Sequence, residues 1–223
     1  MERKHAVGIP LERLAVWDPE IEEHLRCTQN GVFEQVLGEV VAAMNLKNVE
    51  YALMGGIAST ELGRPRWTHD IDVFVRPANA DAALDALAEA GFETERTDPT
   101  WLFKAFKHGV LVDVIFRSTG GFYLDDEMSA RSVERDFLGH RVRLIAPEDL
   151  LVIKAAVHDE QGPRHWHDAL GVIGVNELDW DYLLRRARQA PRRVLSLLVY
   201  AHSLDKNVPN HVVRELYREI YES

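Results

Sequence analysis

Thr68-His69-Asp70-Ile71-Asp72-Val73-Phe74-Val75 alternates in character, with Ile71, Val73 and Val75 on one side and Asp70, Asp72 and Phe74 on the other. A period of two is strand patterning. It predicts a strand over Asp70–Val75 that carries both aspartates on one face, about 7 Å apart along the backbone. Further on, Val110-Leu-Val-Asp-Val-Ile-Phe116 sets Asp113 in an otherwise apolar run. An ionised carboxylate there is costly unless it is paired or bound to a metal. A strand with one aspartate beside a strand with two would gather three carboxylates suited to a hard cation such as Mg²⁺. The plain alternatives are a solvated strand face or edge protection for the pair, and a buried ion pair for Asp113.

Upstream, Tyr51-Ala-Leu-Met54 reads as a short buried strand ending in Gly55-Gly56, followed by a short helix from Ile57 to near Gly63, before Pro65. The glycines allow close backbone approach, and a helix N-terminus offers N–H groups to an anion. Gly-Gly at a strand end is most often a plain turn. Val32, Val36, Val40, Val41 and Met44 recur at helical spacing and predict a helix over residues 31–46. Asp18-Pro19 marks an earlier turn and helix start. Residues 78–90 read as a helix closed by Gly91, and residues 101–107 and 110–116 as a hairpin around His108-Gly109. Residues 120–135 favour no element, and residues 141–145 read as a last strand.

After Pro147 the texture becomes helical, over residues 148–158, 164–173, 180–189, 192–202 and 212–221. Pro147-Glu148-Asp149 opens the first of these, with acids facing the positive helix end. The expected organisation is therefore a mixed α/β module over residues 1–146 and a helical module over residues 147–223.

The 223 residues carry 26 Lys and Arg against 36 Asp and Glu, a net charge of −10, with 46% hydrophobic residues. That is an ordinary globular composition. It argues against a broad nucleic-acid-coating surface, which needs a basic footprint. The single cysteine, Cys27, excludes an intramolecular disulfide framework and a multi-cysteine zinc site, and fits a reducing compartment. The first ten residues lack the apolar core of a signal peptide, and no apolar run approaches the ~20 residues that span a bilayer. The expectation is a soluble, cytoplasmic protein with no membrane partner.

Gly55-Gly56-Ile57-Ala58, then Arg66-x-Thr68-x-Asp70-Ile71-Asp72, then Asp113 resembles the nucleotidyltransferase superfamily, whose fold is DNA polymerase beta-like. Within it the chain resembles small AbiEii-type nucleotidyltransferases, including toxins of toxin–antitoxin systems. The match spans residues 51–116. A weaker one runs through Pro147-Glu-Asp-Leu-Leu-Val-Ile-Lys154 and residues 164–168. The resemblance implies an α+β fold, a mixed sheet flanked by helices and followed by a helical C-terminal module. It implies that Asp70 and Asp72 hold Mg²⁺ (or Mn²⁺) on a nucleoside triphosphate, ATP among them. Asp113 would share a second metal or accept the proton of the attacking hydroxyl. Gly55, Gly56, Ser59 and Thr68 would line the phosphates, and Arg66 and Lys154 would neutralise them, with Lys154 brought near Gly55 and Arg66. Arg66 could instead pair with an acid, and Lys154 could snorkel from its helix. Many members carry Gly-Ser where this chain has Gly55-Gly56, so a serine contact to phosphate is missing, with Ser59 close by.

The implied reaction moves a nucleoside monophosphate to a hydroxyl of a tRNA, a protein or a small molecule, releasing pyrophosphate. A cognate antitoxin or a second copy of the chain are the implied protein partners. Two other functions compete. His158-Asp159, His165, His167 and Asp168 could form a metal-dependent phosphohydrolase site. On one helix, however, His165 and His167 point about 200° apart, and Asp168 could pair with Arg164. The chain could also be a nucleotide-binding or antitoxin-like partner without turnover. Trp17, Trp67, Trp101, Trp166 and Trp180 offer base stacking or core packing. Arg185, Arg186, Arg188, Arg192 and Arg193 form either an RNA contact or, as is preferred, a solvated helix face.

Overall fold

A computed structural model describes residues 31–66, 68–159 and 161–222. Cys27, Asp18-Pro19, Trp17 and Trp67 lie outside the described residues. The described chain falls into two compact units. One comprises residues 31–61, Pro65–Arg117 and Tyr123–Ile145; the other comprises Leu62–Arg64, Ser118–Phe122 and residues 146–222.

The first unit is built on a seven-stranded sheet. Its strands are β1 (Tyr51–Leu53), β2 (Asp70–Val75), β3 (Glu93–Asp98), β4 (Leu102–Lys107), β5 (Val110–Ile115), β6 (Val133–Phe137) and β7 (His140–Leu144). Their order across the sheet is β3-β4-β5-β2-β1-β7-β6. The sheet is mixed: β2 runs parallel to β5 and β1 parallel to β7, and the other neighbours are antiparallel. Helices α1 (Val32–Leu46) and α3 (Ala80–Glu89) pack against it, and α2 (Gly55–Leu62) and α4 (Asp126–Arg131) lie in the connections.

The sheet core follows the pattern in the sequence. Ile71, Val73 and Val75 of β2 and Val110, Val112 and Val114 of β5 are buried, as are Val36, Leu37, Val40 and Met44 of α1 and Leu84 and Leu87 of α3. Strand β5 alternates without a break, its valines buried and Leu111, Asp113 and Ile115 partly exposed. Asp113 is therefore not enclosed on both faces. It shares a half-open face with two apolar neighbours.

Two strands were invisible to the pattern. Strand β3, Glu-Thr-Glu-Arg-Thr-Asp, is an exposed edge strand with no apolar face to alternate. Strand β6 pairs with β7 through a turn at Leu138 and Gly139, both at positive φ (47° and 76°). Leucine is a rare occupant of that conformation, so it hid the turn signal. The short helix α4 is capped by Asp125, whose carboxylate accepts the Met128 N–H at 2.8 Å.

The second unit holds α5 (Pro147–Val157), α6 (Arg164–Val175), α7 (Trp180–Ala187), α8 (Pro191–Ser203) and α9 (Asn210–Tyr221). Each lies within a few residues of the expected helix. Glu148 and Asp149, read as partners of the helix dipole, are buried and do more. Glu148 Oε1 accepts the Asp179 N–H at 2.7 Å, and Asp149 accepts from the Tyr182 hydroxyl at 2.7 Å and pairs with Arg186 at 3.0 Å. Arg186 is thus part of a buried core network and not of a solvated basic face. Among the described residues no helix is long and apolar enough to cross a membrane.

The β4–β5 turn offers a stability test. His108 and Gly109 have φ of 51° and 81°, the pattern that favours Asn-Gly. His108 is exposed, so His108→Asn relieves the cost of a left-handed histidine and should stabilise the chain by a few tenths to about 1 kcal/mol. Urea denaturation reads the change.

Candidate active site

Strand β2 presents Asp70 and Asp72 on the face opposite its buried valines. Its parallel pairing with β5 sets Asp72 directly against Asp113 and Asp70 against Leu111. The three aspartates converge: one carboxylate oxygen from each lies within 4.8 Å of one from each of the others. Among the described residues they are the one group of three or more His, Cys, Asp or Glu side chains able to hold a metal ion. His158, His165 and Asp168 form no such group.

Each aspartate has a local support. The Thr68 hydroxyl donates to Asp70 Oδ1 at 2.6 Å. The Gly56 N–H donates to Asp72 Oδ2 at 3.3 Å. Asp113 faces the Lys104 ammonium across the β4–β5 pair, 3.8 Å from Oδ1, yet that oxygen is buried without a hydrogen-bond partner. Burial pushes the Asp113 carboxyl above the ordinary aspartate range; Lys104 opposes this, and the negative Asp70 adds to it. A carboxylate set this tight, with one orphaned buried oxygen, fits a hard divalent cation, which gathers oxygen ligands at about 2.0–2.1 Å.

The glycine pair explains how α2 meets the acids. The helix begins on the glycines themselves, two residues before Ile57, with the Ala58 N–H bonded to Met54 O. Gly55 has φ +56°, and a Cβ there would stand 1.7 Å from Asp72 Oδ2. A Cβ on Gly56 would stand 2.0 Å from the Thr68 hydroxyl. Both glycines are required for the helix start to lie against the two acids. Ser59, placed by the sequence on the phosphate path, is fully buried, and its hydroxyl donates to Gly55 O at 2.6 Å within the helix. Arg66 is half-buried, with its carbonyl held by the Thr60 hydroxyl at 2.7 Å.

Lys154 belongs to the second unit and does not snorkel. Its ammonium is buried, 2.9 Å from the buried Asp168 Oδ2. Asp168 thus takes its partner from α5 and not only from its own helix. Nearby, His158 stacks on Trp166 (4.4 Å, 22°), which in turn meets Tyr200 at 5.3 Å. Arg185 lies over the Tyr182 ring, and Arg188 pairs with Glu219. Trp101 donates to Asp98 at 3.1 Å on the outer hairpin, and Trp180 opens α7. Lys104 is the residue at the acids that the sequence did not single out. Its signal was available once the β4–β5 hairpin was paired, because the two-residue turn at His108-Gly109 puts Lys104 opposite Asp113.

Residues 33–188 match the family described as nucleotidyl transferase of unknown function (DUF2204), and the chain belongs to it. No curated protein matches the sequence. Among solved structures, the antibiotic-resistance factor ANT(2″)-Ia in solution is similar at 16% identity and a TM-score of 0.50, over 76% of this chain and 96% of that one. The crystal structure of ANT(2″)-Ia with adenylyl-2″-tobramycin is similar at 17% identity and a TM-score of 0.50, over 71% and 97%. These likenesses show the fold: the mixed sheet and its helices are a nucleotidyltransferase fold. The chain is a nucleotidyltransferase by family.

Two predictions follow from this geometry. Gly55→Ala pushes Asp72 aside, and an ångström-scale displacement should lower turnover by about a hundredfold; released pyrophosphate measures it. In the second unit, burial, reinforced by Lys154, lowers the His165 pKa from 6.5 to about 4. The unfolded chain therefore binds a proton on His165 that the folded chain refuses. Its stability contribution is complete above about pH 6.5 and is lost progressively down to about pH 4. Urea unfolding across that window should show a shallower decline for His165→Gln than for the parent.

Proposed function

We propose that this chain transfers a nucleoside monophosphate from a nucleoside triphosphate to a hydroxyl group of an acceptor. A divalent cation, Mg²⁺ or Mn²⁺, would be held by Asp70, Asp72 and Asp113. The observation that carries this reading is the convergence of the three carboxylates, with Asp113 Oδ1 buried and without a hydrogen-bond partner. When bound, the cation supplies charge neutralisation at the phosphoryl oxygens and a template for in-line displacement.

The remaining work falls to the chain. The acceptor oxygen bonds to the α-phosphorus, the bond to the bridging oxygen breaks, and pyrophosphate leaves. Asp113, opposite Asp72 in the three-acid cluster, is the carboxylate positioned to take the hydroxyl proton. The start of α2 at Gly55 and Gly56 directs helix N–H groups at the acids and can extend them to phosphate. Arg66 is the guanidinium carried on the same stretch as Thr68 and the acid pair, and offers paired donors to phosphate. Thr68 and Ser59 serve as braces, Thr68 on Asp70 and Ser59 on the turn at Gly55. Lys154 would reach phosphate only by exchanging Asp168 for it.

ATP and a small hydroxylated acceptor are the first pair to test, because structures of the same fold include one in complex with adenylyl-2″-tobramycin. The same chemistry would serve a toxin acting on tRNA or on a protein hydroxyl. Incubation with each labelled triphosphate, Mg²⁺ and a cell extract separated into RNA, protein and small molecules decides among them.

Asp70→Ala and Asp72→Ala should each lower pyrophosphate release by orders of magnitude while the thermal unfolding transition is retained, and chelation of Mg²⁺ should mimic them. Release that survives Asp72→Ala overturns the proposal. Tight nucleotide binding without pyrophosphate, whatever the acceptor, would show a binder in place of an enzyme.

A further inference from the structure

Strand register lines up one row of charges across four strands: Glu95 of β3, Lys104 of β4, Asp113 of β5 and Asp72 of β2 are successive pairing partners. Residues directly opposite one another share a sheet face, so the Lys104 ammonium projects on the side of the three acids. Among the described residues its ion-pair partner is Asp113 Oδ1, at 3.8 Å. That distance exceeds hydrogen-bond range, so the attraction is Coulombic and not a directional bond. Both side chains are largely withdrawn from water, 28% exposed for Lys104 and 17% for Asp113, so the attraction is less screened than on an open surface.

We propose that Lys104 is a resident counter-charge of the three-acid cluster and tunes how tightly that cluster holds a divalent cation. The inference rests on the reading of the cluster as a cation site. Three carboxylates crowded together repel one another, and the Lys104 ammonium, paired with Asp113 across the strands, offsets part of that repulsion. It holds the Asp113 side chain toward the site and reduces the repulsion that would splay the set. An incoming divalent cation takes over that neutralisation and is itself repelled by the ammonium. Lys104 therefore trades cation affinity for order in the metal-free site. It is a positioning residue, acting through Asp113. Even through a dielectric near that of water, the weakest case, a unit charge a few ångströms from a divalent ion changes affinity by about tenfold.

The test uses the full chain without nucleotide. Calorimetric titration with Mn²⁺ should show Lys104→Met binding about tenfold tighter than the parent. The metal-free melting temperature should be lower in Lys104→Met, and the rise on adding Mn²⁺ larger. Lys104→Arg should return both quantities toward the parent values, because it restores the charge. Lys104→Gln, a shorter polar replacement, repeats the measurement should the methionine variant fail to fold. Unchanged or weaker Mn²⁺ binding in the folded variant overturns the proposal, as does a Lys104→Arg protein that behaves like Lys104→Met. Asp72→Asn separates the two readings. If the parent binds no Mn²⁺ that Asp72→Asn removes, the cation site itself is disproved and the role of Lys104 falls with it.

Discussion

The in-register parallel pairing of β2 with β5 is the constraint on which the site depends. It places Asp72 opposite Asp113, and like charges directly opposed in a sheet are destabilising. What holds them there is the other face of the same strands. Ile71, Val73, Val112 and Val114 are completely buried, and a slip of one residue would turn those side chains to solvent and drive the aspartates into the core. Burial of a branched aliphatic side chain contributes about 1.5–3 kcal/mol, so four of them outweigh the repulsion between half-exposed carboxylates. The core thus enforces a juxtaposition that the acids alone would not adopt.

The glycines complete that constraint from the other side. Helix α2 starts immediately after β1, which is antiparallel to β2, so its first turn lands beside Asp72. A residue with a Cβ at Gly55 would have to hold a positive φ and push aside the Asp72 carboxylate, which stands 1.7 Å from a notional Cβ. The Gly56 N–H then faces Asp72, and Thr68 packs where a Gly56 side chain would stand. Sequence neighbours thus brace one another: the residue that precludes a side chain on the helix is the one whose hydroxyl holds Asp70.

These relations explain what could be read from the chain directly. The alternation in β2 and β5 and the periodicity of α1 were legible because each buries one face and exposes the other. The convergence of Asp70, Asp72 and Asp113 was legible because it needs only that β2 and β5 be neighbours. Strand β3 was not, since an edge strand of Glu, Thr, Arg and Asp has no apolar face to betray it. Strand β6 was hidden by Leu138, which sits in a left-handed turn that leucine seldom enters. The buried character of Asp149, Lys154, Asp168 and Arg186 was also illegible. Charged residues at helical spacing look alike whether they meet solvent or one another, and only the packing of α5 against α6 and α7 separates the cases.

That packing fixes what Lys154 does first. A buried ion pair costs desolvation on both partners and recovers it only through close mutual contact. Lys154 and Asp168 meet that condition at 2.9 Å with almost no exposure on either side. Drawing Lys154 away would break a close buried pair, a cost of about 3–5 kcal/mol in comparable cases. Lys154 therefore contributes first to holding α5 and α6 together, and any other contact it made would come at the expense of that pair.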